Sequence, residues 1–253
     1  MNDRHNSQQT RRSEFSLRGY RDLMTALIGR GYSVRGFVDA EPDKRHLIVR
    51  HDIDMSLDSA AALAEVEQEL DVRSIYFVLL RSGLYNPFSA AGIARLKQIL
   101  AAGHEVGLHF DASLYPEDRA SLESACQREC ERLEEQLGCA VEVVSFHRPT
   151  ELLIGAEGLF AGRTHAYEPR FISEMGYCAD SRGDWHHGHP LEHDAIASHR
   201  ALQLLTHPIW WDAQPGESVV ARLDRLVVEN MEAYRSELSE NCEPYRTAIR
   251  SRS

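Results

Sequence analysis

Along most of this chain, short runs of continuous apolar residues alternate with longer stretches of helical periodicity. Leu17, Tyr20, Met24, Leu27 and Ile28 recur at helical spacing between Phe15 and Arg30, and Gly29 and Gly31 mark the end of that helix. YSVRGF reads as an edge strand, and HLIVRHDID from His46 to Asp54 as a buried strand whose polarity arrives abruptly at its C-terminal end. A helix opens after Asp54, with Ser56 or Asp58 as its cap. Further strands follow at Ile75–Leu80, in HEVGLHF, in CAVEVVSFHRP and at Leu202–Leu205, and the segment PRFISEMGYCADSRGDW contains another. Between them lie AAGIARLKQILAAG, closed by Gly103, and a helix over residues 119–137 that Gly138 stops. The stretch from Thr150 to Glu168 is expected to form a helix or lid, and residues 216–234 and 235–250 two terminal helices.

Strand and helix in such alternation predict right-handed βα crossovers in a parallel sheet or barrel. Neither a repeat nor a linker divides the chain. One α/β domain over residues 15–253 is therefore expected, preceded by a flexible tail over residues 1–14.

Composition narrows the function. The net charge of −11 opposes phosphate backbones and anionic membranes at long range, so nucleic acid is not an expected partner. No apolar run reaches signal-peptide or membrane-spanning length, which predicts a cytoplasmic protein without an integral membrane segment. The five cysteines, Cys126, Cys130, Cys139, Cys178 and Cys242, include no C-x-x-C pair and read as free thiols. No G-x-S-x-G elbow and no glycine-rich phosphate loop occurs, which weakens the serine hydrolase, dehydrogenase and P-loop readings.

What remains is a positional signal. Four strand ends each carry ionisable residues: His51, Asp52 and Asp54; His109 and Asp111; His147 and Arg148; and His207. Strand C-termini of α/β barrels converge on one mouth. Asp52 and Asp54, at i and i+2, point the same way on a regular strand. Two carboxylates in one partly dry pocket need a compensating cation, and a divalent metal is the simplest. Asp54 and His109 are the first candidate ligands. Zinc is the first expectation, with cobalt, iron or manganese also compatible with oxygen and nitrogen donors. The third ligand is left open between Asp111 and His147, while His51 should face away from Asp52. Asp52 is then free to act as general base, His207 to protonate a leaving group, and Arg148 to keep Asp52 ionised or to hold substrate oxygens. Asp180 and Asp184 are candidates for orienting His207 or Arg148. His104 reads as structural, and the HHGHP run at 186–190 as a polar loop. Trp185, Trp210 and Trp211 are either core or an aromatic wall for a sugar ring.

In its ordered motifs the chain resembles the polysaccharide deacetylase superfamily, whose NodB-like domain is a distorted or incomplete (β/α) barrel. The motifs are RHDID at 50–54, GHEVGLHFD at 103–111, SFHRP at 145–149, DSRGDW at 180–185 and LLTHP at 204–208. By this resemblance Asp52 is similar to the catalytic base, Asp54 and His109 to metal ligands, Arg148 to the arginine that braces the base, and His207 to the catalytic acid. Asp180, Asp184 and Trp185 fall where the family places acidic and aromatic supporting residues. The implied reaction is metal-assisted removal of an N-acetyl group from a small or lipid-linked amino sugar in glycan biosynthesis. Amidase activity on small molecules, or an inactive glycan-binding descendant, are the alternatives. Two departures matter: the aspartates are separated by Ile53, and Ser113 stands where a second metal histidine is expected. The motifs also resemble those of a divergent branch associated with surface-polysaccharide gene clusters. Oligomeric state is not readable.

Overall fold

The computed structural model describes residues 14–186 and 188–250, so the expected tail lies outside the described residues except for Glu14. The chain divides into two compact units, Met1–Pro215 and Gly216–Ser253. The first is built on strands β1 (Ser33–Val34), β2 (His46–Ile53), β3 (Ile75–Val78), β4 (Glu105–Asp111), β5 (Val143–His147), β6 (Thr164–His165), β7 (Gly176–Ala179) and β8 (Leu202–Thr206). They are ordered β6-β5-β4-β3-β2-β8-β7, all pairs are parallel, and β1 pairs with the N-terminal part of β2.

The helices follow the expected grammar. In this unit α1 (Leu17–Gly29), α2 (Leu57–Glu69), α3 (Ala90–Ala101) and α4 (Arg119–Leu137) carry side-chain caps from Ser16, Ser56, Ser89 and Asp118 respectively. Each cap accepts a backbone N–H that the first turn leaves without a partner. Gly138 ends α4 at φ 71°, a conformation that glycine adopts without a Cβ clash. Three short helices, α5 (Pro169–Ile172), α6 (Asp194–Ala197) and α7 (Pro208–Trp211), complete the unit. The second unit holds α8 (Val219–Asn241) and α9 (Glu243–Arg250). Their break falls at Cys242 rather than at residue 235, because nothing before Pro244 interrupts helical periodicity. No described helix is long and apolar enough to cross a membrane.

The segment from Thr150 to Glu168 forms turns and the short strand β6 instead of a helix. Gly155, Gly158 and Gly162 all adopt positive φ there, which breaks a helix three times in eight residues.

The sheet curls into an incomplete (β/α) barrel. Two strands separate β2 from β5, so in a flat sheet they would lie about 14 Å apart. Yet the short side chains of Asp52 on β2 and Ser145 on β5 approach to 3.4 Å. Period-two alternation then sorts the residues. Tyr76, Val78, Leu108, Phe110, Val144 and Phe146 face outward onto α2, α3 and α4, where Ala60, Ala64, Leu96, Ile99, Leu122 and Leu133 meet them. Inside, Phe37, Ile48, Ile75, Phe77, Val143 and Phe171 plug the N-terminal end. The inward positions of β2 therefore run Ile48, Arg50, Asp52, from apolar floor to charged mouth.

Gly107 makes room for this plug: a Cβ there would lie 2.5 Å from the Phe77 ring and 2.8 Å from the Val143 carbonyl oxygen. On the outer face of β2, His51 reaches a buried carboxylate on α2, Glu67. Its Oε1 accepts from Tyr20 and lies 3.0 Å from His51 Nε2, while its Oε2 accepts from Ser74 and Tyr76. Burial by itself raises the Glu67 carboxyl, but His51, His104 and the Ser74 hydroxyl bring it down to about 2.

Two stability outcomes are expected. Gly107→Ala should lower the unfolding free energy measured in urea by about 1–3 kcal/mol, because the ring it strikes is fully buried. A carboxyl held below its unfolded value stabilises above the unfolded pKa and ceases to do so as pH falls through the folded one. Wild-type stability should thus drop between about pH 4.5 and about pH 2 by roughly 3 kcal/mol from this group alone. Urea titrations of Glu67→Gln across that range should show that part of the decline removed.

Candidate metal centre and its surroundings

The curl brings strand ends that are distant in sequence into one pocket. Asp54 Oδ1 lies 3.1 Å from His109 Nε2 and 3.4 Å from His147 Nδ1, and the two imidazole nitrogens are 3.2 Å apart. Donors arranged around a tetrahedral ion with bonds of 2.0–2.1 Å are separated by about 3.3–3.4 Å. The triangle of Asp54, His109 and His147 therefore has the dimensions of one face of such a site. Asp54 Oδ1 is also buried without a hydrogen bond, although two ring nitrogens stand beside it. One carboxylate oxygen and two imidazole nitrogens at these separations are donors that a divalent cation accepts, so the set suits the metal expected from the sequence.

Asp111 does not join this triangle. It pairs across the ladder with His147, but its Oδ1 accepts from both the backbone N–H and the hydroxyl of Ser113, at 3.1 and 2.6 Å. The serine at the position of an expected histidine thus turns Asp111 into the cap of a short 3₁₀ turn, Ala112–Leu114.

Asp52 stands behind the triangle, its Oδ2 3.7 Å from His109 Nε2. The cation beside it is Arg50, not Arg148. The fully buried Arg50 donates from Nη2 to Asp52 Oδ2 at 2.9 Å and to Ser145 Oγ at 3.0 Å, and from Nη1 to Gln203 Oε1 at 3.0 Å. Its guanidinium lies over the rings of Tyr167 and Phe77. Burial pushes Asp52 up, but Arg50, with His109 and His207, holds its carboxyl below the usual range. Arg148 is exposed, has φ 51°, and donates from Nε to His147 Nε2 at 3.1 Å. The left-handed backbone at the end of β5 turns that side chain out of the barrel.

His207 enters from the end of β8, with Nε2 3.8 Å from Asp54 Oδ2. Buried Asp180 accepts from the His207 backbone N–H and from Trp211 Nε1, and its Oδ1 is 2.7 Å from His207 Nδ1. Burial works against protonation of His207, but the bond and charge of Asp180 carry its pKa up to about 9. Asp184, by contrast, is exposed and accepts from the N–H of Trp185, so it orients neither His207 nor Arg148.

Other sequence candidates resolve into packing. His51 faces outward to Thr206 and Glu67, and His104 is held by Ser74 and the Ala64 carbonyl. Trp185, Trp210 and Trp211 are all buried, so they supply core rather than a groove wall. In the HHGHP run, His189 accepts from the Leu191 N–H, and His187 lies outside the described residues.

Sequence reasoning missed Arg50 and Ser145. Ser145 contacts Arg50, Asp52 and His109 Nδ1, the last at 3.2 Å. The signal was available: Arg50 is two residues from Asp52 and Ser145 two from His147, so each shares the inward face of its strand.

No protein-family model and no curated protein matches the sequence. Solved structures resemble it at low identity. A family 4 carbohydrate esterase from Bacillus anthracis is 17% identical, with 83% of this chain and 86% of that one covered and a TM-score of 0.43. IcaB from Ammonifex degensii is 16% identical over 78% and 90%, with a TM-score of 0.42. A family 4 pseudoenzyme, also from Bacillus anthracis, is 15% identical over 76% and 63%, with a TM-score of 0.38.

The Arg50–Asp52 pair makes a direct expectation. Arg50→Met leaves Asp52 charged, buried and unpaired, and should cost about 3–5 kcal/mol in urea unfolding of the metal-stripped protein. Adding Asp52→Leu to that variant should recover most of the loss, since no charge then remains to be compensated.

Proposed function

We propose that this chain is a metal-dependent deacetylase of the polysaccharide deacetylase superfamily, which hydrolyses the N-acetyl group of an amino sugar to acetate and a free amine. The observation that carries this reading is the triangle of Asp54, His109 and His147 with a second carboxylate, Asp52, held ionised beside it. A pocket of this kind combines a cation site with a base that need not coordinate the cation.

In this reading Asp54 Oδ1, His109 Nε2 and His147 Nδ1 hold one divalent ion, zinc by preference of the donor set. When bound, the ion polarises the amide carbonyl and increases the acidity of water. Asp52 takes the proton of the attacking water, and Arg50 keeps that carboxylate ionised until it does so. His207 donates a proton from Nε2 to the departing nitrogen, while Asp180 fixes the ring through Nδ1. Ser145 orients both His109 and Asp52. The proton taken from water and the one given to nitrogen thus pass through different groups.

Acetate release from N-acetylated hexosamine derivatives, in the zinc-loaded protein and after chelation, tests the reaction. Chelation should abolish it and zinc restore it. Asp52→Asn should lower kcat by about 10²–10⁴-fold while zinc retention stays near wild type. A wild-type rate in Asp52→Asn, or a protein that retains no divalent ion, would remove this reading. Competition with a chromogenic chelator should separate the ligands. His147→Ala should weaken zinc binding by more than the 10–100-fold that loss of an outer partner costs. Asp111→Asn should change it little.

A further inference from the structure

Of the fourteen exposed large apolar side chains among the described residues, six lie on the single helix α8. Val220, Val227, Met231, Tyr234 and Leu238 follow one another at steps of seven, four, three and four residues, with exposures between 41 and 67%. Steps of three and four keep residues on one face of a helix, so these five form one stripe. It is not the side on which α8 is buried. Arg222 and Leu226 are buried and Val219, Leu223 and Asn230 half-buried, on a stripe roughly 110° around the helix. From Met231 to Leu238 every side chain is exposed. A helical segment that short is marginal in water unless its apolar face is covered.

The two polar residues within the stripe indicate what covers it. In a heptad reading Asp224, Met231 and Leu238 occupy a positions, and Val220, Val227, Tyr234 and Asn241 occupy d positions. Two parallel copies would set Asp224 against Asp224 in the seam, where neither carboxylate has a counter-charge. In an antiparallel pair with Met231 of one copy against Tyr234 of the other, every a position meets a d position. Val227 then meets Leu238, and Asp224 meets Asn241. The Asn241 amide, bonded to Glu237 within its own helix, can donate to that carboxylate.

Four apolar layers result, closed at each end by a carboxylate–amide pair, and twofold symmetry makes the two ends identical. Beside the seam Arg235 comes opposite Val228, and Glu237 opposite Asn230, so no like charges face each other. A lipid surface matches the helix less well. Helices that lie on membranes carry lysine and arginine on their polar face, whereas α8 has five acidic side chains and three arginines.

We propose that α8 is a dimerisation helix that pairs antiparallel with α8 of a second copy over residues 224–241. The inference is independent of the deacetylase reading.

Sedimentation equilibrium of the full chain from about 1 to about 100 μM should show a monomer–dimer equilibrium. Met231→Glu/Tyr234→Glu/Leu238→Glu should weaken the dimer by about 100-fold or more. Leu152→Glu/Ile154→Glu/Leu159→Glu, which changes exposed apolar residues outside the helix, should dimerise like wild type. Orientation is read by cross-linking in a Cys242→Ser background, which removes the exposed native thiol. On mild oxidation Val227→Cys/Leu238→Cys should give a linked dimer, and Val227→Cys alone should not. Within one helix the two positions lie about 16 Å apart and cannot bridge. A wild-type chain that stays monomeric overturns the proposal, as does a dimer that persists in the helix variant or dissociates in the loop variant. Linkage through Val227→Cys alone would assign a parallel pair and overturn it equally. A monomer that floats on neutral phosphatidylcholine vesicles, and no longer does so in the helix variant, would assign the stripe to a lipid surface instead.

Discussion

A guanidinium with no access to solvent holds the centre of this barrel together. Two carboxylates that share a dry pocket repel each other, and desolvation alone would protonate at least one of them. Arg50 removes that conflict for Asp52 with a charge that cannot titrate away, since an arginine keeps its proton throughout the accessible range. It also donates to Ser145 and Gln203, on strands at either side of β2. The same residue thus favours the ionised form of Asp52 and ties together the curved sheet that surrounds it. Replacement by lysine would keep the charge and lose the fork that spans three partners.

That arrangement divides the labour between the two aspartates. Asp52 faces a permanent cation and needs no other, whereas Asp54 faces two imidazoles that can be neutral. The pocket therefore has one place where a counter-charge is built in and one where it must be acquired. His207 belongs to a third arrangement, in which a buried carboxylate on the far side of the ring favours the protonated form. Asp52, Asp54 and His207 are distinguished by their partners rather than by their own chemistry.

Much of this was legible in the sequence, for a physical reason. Strand cores are continuous apolar runs, so the point where polarity begins marks the strand end, and in a parallel barrel all such ends share one mouth. The placement of Asp52, Asp54, His109, His147 and His207 follows from that alone. What was not legible depended on side-chain direction. Asp111 and His147 pair across the β4–β5 ladder, and the backbone N–H and hydroxyl of Ser113 engage the Asp111 carboxylate while His147 joins the triangle. Both Arg50 and Arg148 lie in quoted motifs, and the φ of 51° that turns Arg148 outward is not visible in a sequence. The irregular segment after β5 eluded prediction because its three glycines act through backbone conformations that composition only hints at.

The two faces of β2 have a consequence for how the chain threads itself. His51 belongs to an outer nest around Glu67, and Asp52, its neighbour, to the inner cavity. A strand displaced by one residue would turn Arg50 and Asp52 outward together and His51 inward, which takes the imidazole from Glu67 and the guanidinium from Ser145 and Gln203. Both changes leave buried polar groups without their partners. Polar pairing therefore proofreads the alignment of this strand.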